Sequence, residues 1–467
     1  MRREIGEMLK EYTGRDLAPW HMPGHKRKNA FGGMWDVIFP LDVTEVPGTD
    51  DLHHATGAIL HSEQAAADAV GAAYAHYLVG GSTAGILSAV SAAAKLWRES
   101  GSNELAGAET PVFLVASNCH KSVWNGLRLA GAEVIPLEPK GDSVYGPVQP
   151  EELLRALSEY AGNLKKIAGC IITSPTYGGS MSQLSELHKV LEMYKIPMIV
   201  DQAHGAHLPF CSELASFSGT SCGAEYVIAS LHKTIPAMTQ TAVLYVGGKK
   251  EDKETQRREE AIAGQLAIFQ TSSPSYILML SAEEAVAWAD ENRMRFDTYI
   301  RRMKSFREEL EAELRMLRFV PLEGEQEPTR LMLQAKGWFT EKKDAPACPE
   351  GTYMASWLEQ ETGVVAELAG SREIILLSSV MDDEEDLDRL KQALLQLDKH
   401  LREDFPVGKK EVLEGKQLPG IGETVQRDIY VYPPGVPILR SGEKVTEAAL
   451  EKLREEQNAG RKIYGLG

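Results

Sequence analysis

Two periods alternate along this chain. From about residue 61, short runs of consecutive apolar residues alternate with stretches in which apolar positions recur every three or four residues. The strand-like runs are PVFLVAS (111–117), AEVIPL (132–137), KIAGCIIT (166–173), PMIVD (197–201), AEYVIAS (224–230) and TAVLYVG (241–247). Helical spacing separates several of them, as in EELLRALSEYA and LSELHKVLEMYK. A strand buried on both faces has no polar side to alternate, so apolar strands joined by helices predict an α/β fold. Its sheet is mainly parallel and covered on both faces.

Other stretches read differently. Residues 1–60 are rich in turn formers and histidine and show no sustained period, which predicts an extended N-terminal arm. No Asp, Glu, Lys or Arg occurs from Ala69 to Ala94. His76, Gly80-Gly81, Ser82-Thr83 and many alanines argue against a membrane span there, and two buried helices broken by a loop are expected. Residues 281–318 predict one long helix bridging two domains. Beyond it, 319–400 reads as a smaller α/β unit and 404–440 as Pro/Gly-rich connection. VTEAALEKLREEQNAG reads as a surface helix ending at a glycine cap. The division expected is an arm over 1–60, a large domain over 61–290 and a small C-terminal domain over 291–467.

Composition narrows the function. The 467 residues are 43% hydrophobic and 25% charged, which argues against disorder. Lys and Arg number 50 against 67 Asp and Glu, a net charge of −17 that opposes phosphate backbones and anionic lipid. Neither nucleic acid nor membrane is an expected partner. Five cysteines (Cys119, Cys170, Cys211, Cys222, Cys348), with no Cys-x-x-Cys pair, suggest neither a disulfide framework nor a zinc knuckle. They fit a reducing cytoplasm. The first residues, MRREIGEMLKEYTGRD, lack the apolar core of a secretory signal.

In an open parallel sheet, ligands bind beyond the carboxyl ends of the strands. The residues just past four of those ends are Asn118-Cys119-His120, Ser174-Pro175-Thr176-Tyr177, Asp201-Gln202-Ala203-His204 and Leu231-His232-Lys233. A fifth element, GGSTAGILSAVSAAAKLW, places a tight Gly80-Gly81 turn and the hydroxyls of Ser82 and Thr83 at a helix start. Free backbone N–H groups there can hold a single phosphate or serve as an ordinary helix cap. The segment lacks the Gly-Lys-Ser/Thr ending of a nucleotide loop and the spaced glycines of a dinucleotide site.

A phosphate cradle, a strand-end lysine and a strand-end aspartate together match the needs of pyridoxal 5'-phosphate. That cofactor takes an amine for its aldehyde, a carboxylate for its pyridine nitrogen and a flat group against its ring. Lys233 supplies the amine, Asp201 the carboxylate and His120 a stacking face.

HMPGHK, DVTEVPGTDDLHH, GGSTAG, NCHKS, DQAHGAH, SLHKT, QTSSPSY and YPPGVPILRSGE follow one another across nearly the whole chain. In this order they closely resemble the Orn/Lys/Arg decarboxylase family of pyridoxal-phosphate enzymes. The resemblance implies the aspartate-aminotransferase-like fold (fold type I), with a seven-stranded type of sheet and a smaller C-terminal α/β domain. It implies that Lys233 bonds the cofactor, that Asp201 pairs with the ring nitrogen and that His120 stacks on the ring. Ser82, Thr83 and Ser230 would hold the phosphate, and His204 and His232 would lie beside the cofactor. Thr271 or Ser272 would reach the phosphate of a partner subunit in a homodimer. The chain begins almost directly with the arm, without room for the wing domain of larger members, so a dimer or a small multiple of it is expected rather than a large ring.

The implied reaction is decarboxylation of a basic amino acid by a carbon-carbon lyase. Arginine to agmatine in polyamine biosynthesis is the first expectation, with lysine and ornithine open. Lys233 and His232 are both candidates to return a proton to Cα. An acidic pocket would read the substrate tail, with Glu443, Asp50, Asp51 and His25 as candidates. An aminotransferase would share the fold and the lysine but needs an arginine for the α-carboxylate. A metal-dependent hydrolase is suggested by His204-x-x-His207 and by His21, His25, His53, His54 and His61, although two histidines three apart are a weak ligand set. No metal is expected.

Overall fold

All six apolar runs become strands, and a seventh joins them. In the computed structural model the sheet holds β1 (Tyr74–Leu78), β2 (Val112–Ala116), β3 (Glu133–Leu137), β4 (Ile167–Thr173), β5 (Met198–Asp201), β6 (Tyr226–Ser230) and β7 (Ala242–Val246). Their order is β1-β7-β6-β5-β4-β2-β3. Neighbours from β6 to β3 pair in parallel, while β7 is antiparallel to both β6 and β1. The structure describes residues 1–467 except 30, 101–109, 142–143, 340–348, 404–416 and 467, and except the side chains of 162, 163, 165, 338 and 339. Cys348 therefore lies outside the described residues.

The helices labelled here are α1 (Glu4–Gly14), α2 (Trp35–Leu41), α3 (Ala58–Val70), α4 (Gly81–Glu99), α5 (Lys121–Leu129), α6 (Pro150–Glu159), α7 (Leu184–Met193), α8 (Lys253–Phe269), α9 (Tyr276–Glu291) and α10 (Arg293–Glu313). α4 crosses the sheet, and its alanines pack with Phe113, Ile171, Ile228 and Leu244 in the main core. Gly85 makes that approach possible. A Cβ there would lie 2.6 Å from Leu78 Cδ1 and 3.0 Å from Ile228 Cγ2. The small side chains of α4 thus seat the start of the helix close against the strand ends.

Contacts divide the chain into two units. The first takes residues 1–140, 147–175 and 181–297, and the second takes 141–146, 176–180 and 298–467. In the second, β8 (Leu317–Phe319), β9 (Arg330–Ala335), β10 (Leu368–Ala369) and β11 (Glu373–Leu377) form an antiparallel sheet ordered β10-β11-β9-β8. α11 (Gly351–Thr362) and α12 (Glu384–Glu403) belong to the same unit.

Four expectations need correction. The arm is not extended throughout: Ile5, Leu9 and Tyr12 are buried on one face of α1, a spacing that charged neighbours obscure in the sequence. Segment 69–94 holds not two helices but the end of α3, strand β1 and most of α4. β1 escapes a hydrophobic reading because Tyr77 and His76 are satisfied by Ser62 and Glu259 at 2.9 and 3.0 Å. The long helix over 281–318 is two helices that break at Asn292, whose side-chain amide donates to the Trp288 carbonyl at 2.7 Å. The stretch taken as connection includes β12 (Ile429–Val431) and β13 (Pro437–Leu439). With β14 (Ile463–Tyr464) and α13 (Glu447–Asn458) they enclose a core of Val425, Leu439, Leu450 and Leu453. The last helix thus buries one face, although it starts at a Thr446 cap and is followed by Gly460 at φ +73°.

Candidate active site

The sheet register brings the strand-end residues to one edge of the first unit. Thr173 at the end of β4 is level with Asp201 at the end of β5, and Asp201 is level with Ile228 of β6. Ser230, two residues on, aligns with Ala242 of β7, which aligns with Leu78 of β1. The Gly80-Gly81-Ser82-Thr83 turn therefore starts about two strand spacings, roughly 10 Å, from Ser230. His120 follows β2 and caps α5, its Nδ1 accepting from the Ser122 backbone N–H at 3.2 Å.

Lys233 lies on a single helical turn, Leu231–Thr234, directly after β6. Its Nζ is 3.2 Å from His204 Nε2. Asp201 is 3% exposed, and its Oδ1 accepts from the Ala203 N–H at 3.2 Å. Burial raises its carboxyl pKa, against the lowering pull of the Lys233 charge and the Ala203 bond. A cation at that carboxylate would offset the cost of burying it. His120 is shifted the other way: burial, then the charges of Lys233 and Lys121, push its pKa down to about 4. Its ring is thus neutral at pH 7. His232 is lowered by burial, and its Nδ1 lies 2.8 Å from the Thr241 carbonyl. A carbonyl only accepts, so Nδ1 carries the ring proton and Nε2 of the neutral ring is a proton acceptor.

Does this set fit a phosphate-bearing cofactor? Ser230 is fully buried, yet its Oγ has no hydrogen-bond partner among the described residues. A buried hydroxyl without a partner costs about 1–3 kcal/mol, so one aimed at a strand end marks a place for a ligand. Across the register from it, α4 follows Gly80, an N-cap with no side chain to cap it, and Gly81 sits at φ +71°, a conformation that disfavours any side chain. Ser82 and Thr83 are thus in the first turn rather than capping it. The uncapped N–H groups and the Ser230 hydroxyl suit a dianion. The residues fit pyridoxal phosphate. Thr173 and Thr234 are two further buried hydroxyls without a partner among the described residues that the sequence did not single out. Nothing in a sequence separates such threonines from ordinary strand and helix residues.

The four expected substrate contacts have partners within the chain. Asp50 accepts from the backbone N–H groups of Asp51, Thr56, Gly57 and Ile59, bracing the start of α3. Asp51 accepts from the His53 N–H at 2.8 Å and meets His54 at 3.3 Å. His25 stacks on Phe39 with ring centroids 4.4 Å apart, while its Nδ1 accepts from the Arg27 N–H and its Nε2 lies 3.1 Å from Asp42. Glu443, in the second unit, takes the Arg440 guanidinium at 2.6 Å and the Arg440 backbone N–H at 2.8 Å. Each of these four candidates thus has short-range partners within the chain. Thr271 and Ser272 are exposed, with the Thr271 carbonyl 2.9 Å from His53 Nε2. Among the described residues, no three His, Cys, Asp or Glu side chains gather as metal ligands, and no helix is long and apolar enough to cross a membrane.

Comparison with known proteins decides the family. The family model described as Orn/Lys/Arg decarboxylase, major domain, matches residues 5–326. The chain belongs to the Orn/Lys/Arg decarboxylase family. Membership makes it a decarboxylase and implies pyridoxal phosphate as its cofactor. It is 27% identical over 486 aligned residues to the uncharacterized protein YaaO of Bacillus subtilis, covering 97% of this chain and 94% of that one. Identity to the arginine decarboxylase of Bacillus anthracis is 25%, over 98% of this chain and 93% of the relative. The Francisella novicida lysine decarboxylase LdcF superposes with a TM-score of 0.79 at 17% identity, covering 99% of this chain and 79% of that one. That likeness bears out the aspartate-aminotransferase-like α/β fold expected from the decarboxylase motifs.

Proposed function

We propose that this decarboxylase converts arginine to agmatine with pyridoxal phosphate, a step of polyamine biosynthesis, as a cytoplasmic homodimer or a small multiple of it. The observation that carries the cofactor reading is the unpartnered Ser230 hydroxyl, level with the end of β1 that leads into the Gly81 turn and three residues before Lys233. Arginine is favoured over lysine and ornithine by the relatives of nearly equal length named arginine decarboxylase. The exposure of Thr271 and Ser272 supports a partner-facing role for that segment.

Ser82, Thr83 and Ser230 would hold the cofactor phosphate, Lys233 its aldehyde carbon, and Asp201 its ring nitrogen. Bound there, the cofactor would supply an electron sink for the pair left on Cα when carbon dioxide departs. A negative charge on Asp201 would lie in a water-poor place, where it would stabilise a protonated ring nitrogen more strongly than in solvent. His120 offers a flat, uncharged face at neutral pH. Lys233 would carry a proton to Cα, with His204 Nε2 at 3.2 Å as its partner in exchanging that proton. His232 is the other candidate, since its Nε2 accepts in the neutral ring and would donate to Cα after taking up a proton.

Purified protein supplied with the cofactor is incubated with arginine, lysine and ornithine in turn, and agmatine, cadaverine, putrescine, carbon dioxide and keto acids are measured. Agmatine and carbon dioxide in equal amounts are expected from arginine. Cadaverine or putrescine alone would reassign the substrate, and a keto acid without carbon dioxide would replace decarboxylation by transamination.

A further inference from the structure

The turn that would receive the phosphate is held from behind by two glutamine side chains. Val79 is the residue between β1 and Gly80, and it is buried. The Gln270 Oε1 accepts from the Val79 N–H at 2.9 Å, and the same amide donates from Nε2 to the Tyr77 carbonyl at 3.3 Å. The Gln240 side-chain amide donates to the Val79 carbonyl at 2.5 Å. Both backbone groups of Val79 are thus held by side chains just where β1 has ended. Gln270 is itself buried just past the end of α8, and Gln240 sits at φ +83° two residues before the start of β7. Its carbonyl oxygen lies 3.8 Å from where a Cβ on Gly81 would be, so one residue borders both Val79 and the turn.

Resting on the cofactor reading above, we propose that Gln270 and Gln240 are positioning residues for the cofactor phosphate. By fixing Val79 they fix the path into Gly81, and with it the direction of the first N–H groups of α4. Neither side chain needs to touch the phosphate. Helix N–H groups bind an anion only when they point at it, so a small rotation at Val79 is felt as lost affinity for phosphate rather than for the ring.

The experiment compares two ligands, pyridoxal 5'-phosphate and pyridoxal, on cofactor-free full-length protein, by absorbance titration. In Gln270→Leu the buried Val79 N–H loses its acceptor, and the dissociation constant for pyridoxal phosphate rises about tenfold while that for pyridoxal moves less than about twofold. The phosphorus NMR resonance of the bound cofactor shifts as well. Gln240→Asn, in which a shorter amide fits the left-handed backbone but falls short of Val79, moves the same quantities in the same direction and keeps the test decisive if Gln270→Leu does not fold. Equal losses for both ligands, or no loss in the folded variants, would overturn the proposal. Wild-type protein that binds neither ligand would remove the cofactor reading, and this inference with it.

Discussion

Asp201 and His120 stand at or just past strand ends, and their surroundings shift their pKa values in opposite directions. Burial raises the carboxyl of Asp201, and burial with Lys233 and Lys121 lowers the imidazole of His120 to about 4. Asp201→Asn keeps an oxygen for the Ala203 N–H but removes the charge. We expect kcat to fall about 10²–10³-fold, as for loss of a preorganised electrostatic partner. The melting temperature of the cofactor-free protein should hold or rise, since a desolvated charge is gone; calorimetry beside kinetics checks both. For His120 the folded value lies below the usual 6.5, so between about pH 4 and 6.5 the unfolded chain binds more protons and stability falls as pH falls. His120→Asn, which keeps a helix cap without the titration, should show a shallower loss of urea midpoint over that window. These candidates were legible because each lies at or just past the end of an apolar run. The backbone partners of Asp50 and Glu443 were not, because a carboxylate in a turn meets its neighbouring N–H groups only once the turn has formed.

The elements least visible in the chain are the ones stabilised by specific polar partners. His76 of β1 is half-buried between Glu259 of α8 at 3.0 Å and Glu63 of α3 at 3.9 Å. Burial lowers its pKa, but the Glu259 charge and hydrogen bond and the Glu63 charge outweigh this and raise it to about 9. A raised value means that the stabilisation is complete below about pH 6.5 and is lost as pH climbs through 9. The stability gap between wild type and His76→Gln should therefore narrow across that interval in urea titrations. At the opposite extreme is α1, where Leu9 is 1% exposed and Leu9→Ala should destabilise the first unit by about 2–5 kcal/mol. A helix of MRREIGEMLKEYTGRD without its apolar footing would be marginal, which is why charge-broken sequence there read as an arm.

At the scale of the molecule, the proposal that Thr271 and Ser272 serve a partner's phosphate has a direct consequence. A chain carrying Lys233→Ala is inactive by loss of the amine, and one carrying Thr271→Ala with Ser272→Ala is impaired through its partner's site. Mixed in equal amounts and refolded, half of the dimers are hybrids with one intact site each, so activity should return to about a quarter of wild type. Activity that stays at the weighted mean of the two variants would mean that each site draws both sets of residues from one chain.

The order of apolar runs and helices was enough to determine a mostly parallel sheet and the strand ends that carry Asp201, Ser230 and Lys233, because burial on both faces leaves its mark residue by residue. It could not determine which polar groups would be left without partners. Ser230 and Ser88 are both buried serines, and what Ser230 has besides is its alignment through Ala242 with the end of β1. Likewise Gln270 lies 191 residues along the chain from Val79, and the bond between them exists only because α8 packs on α4. Hydrophobic period is a local property of the chain, whereas satisfaction of a buried hydrogen bond depends on everything folded around it.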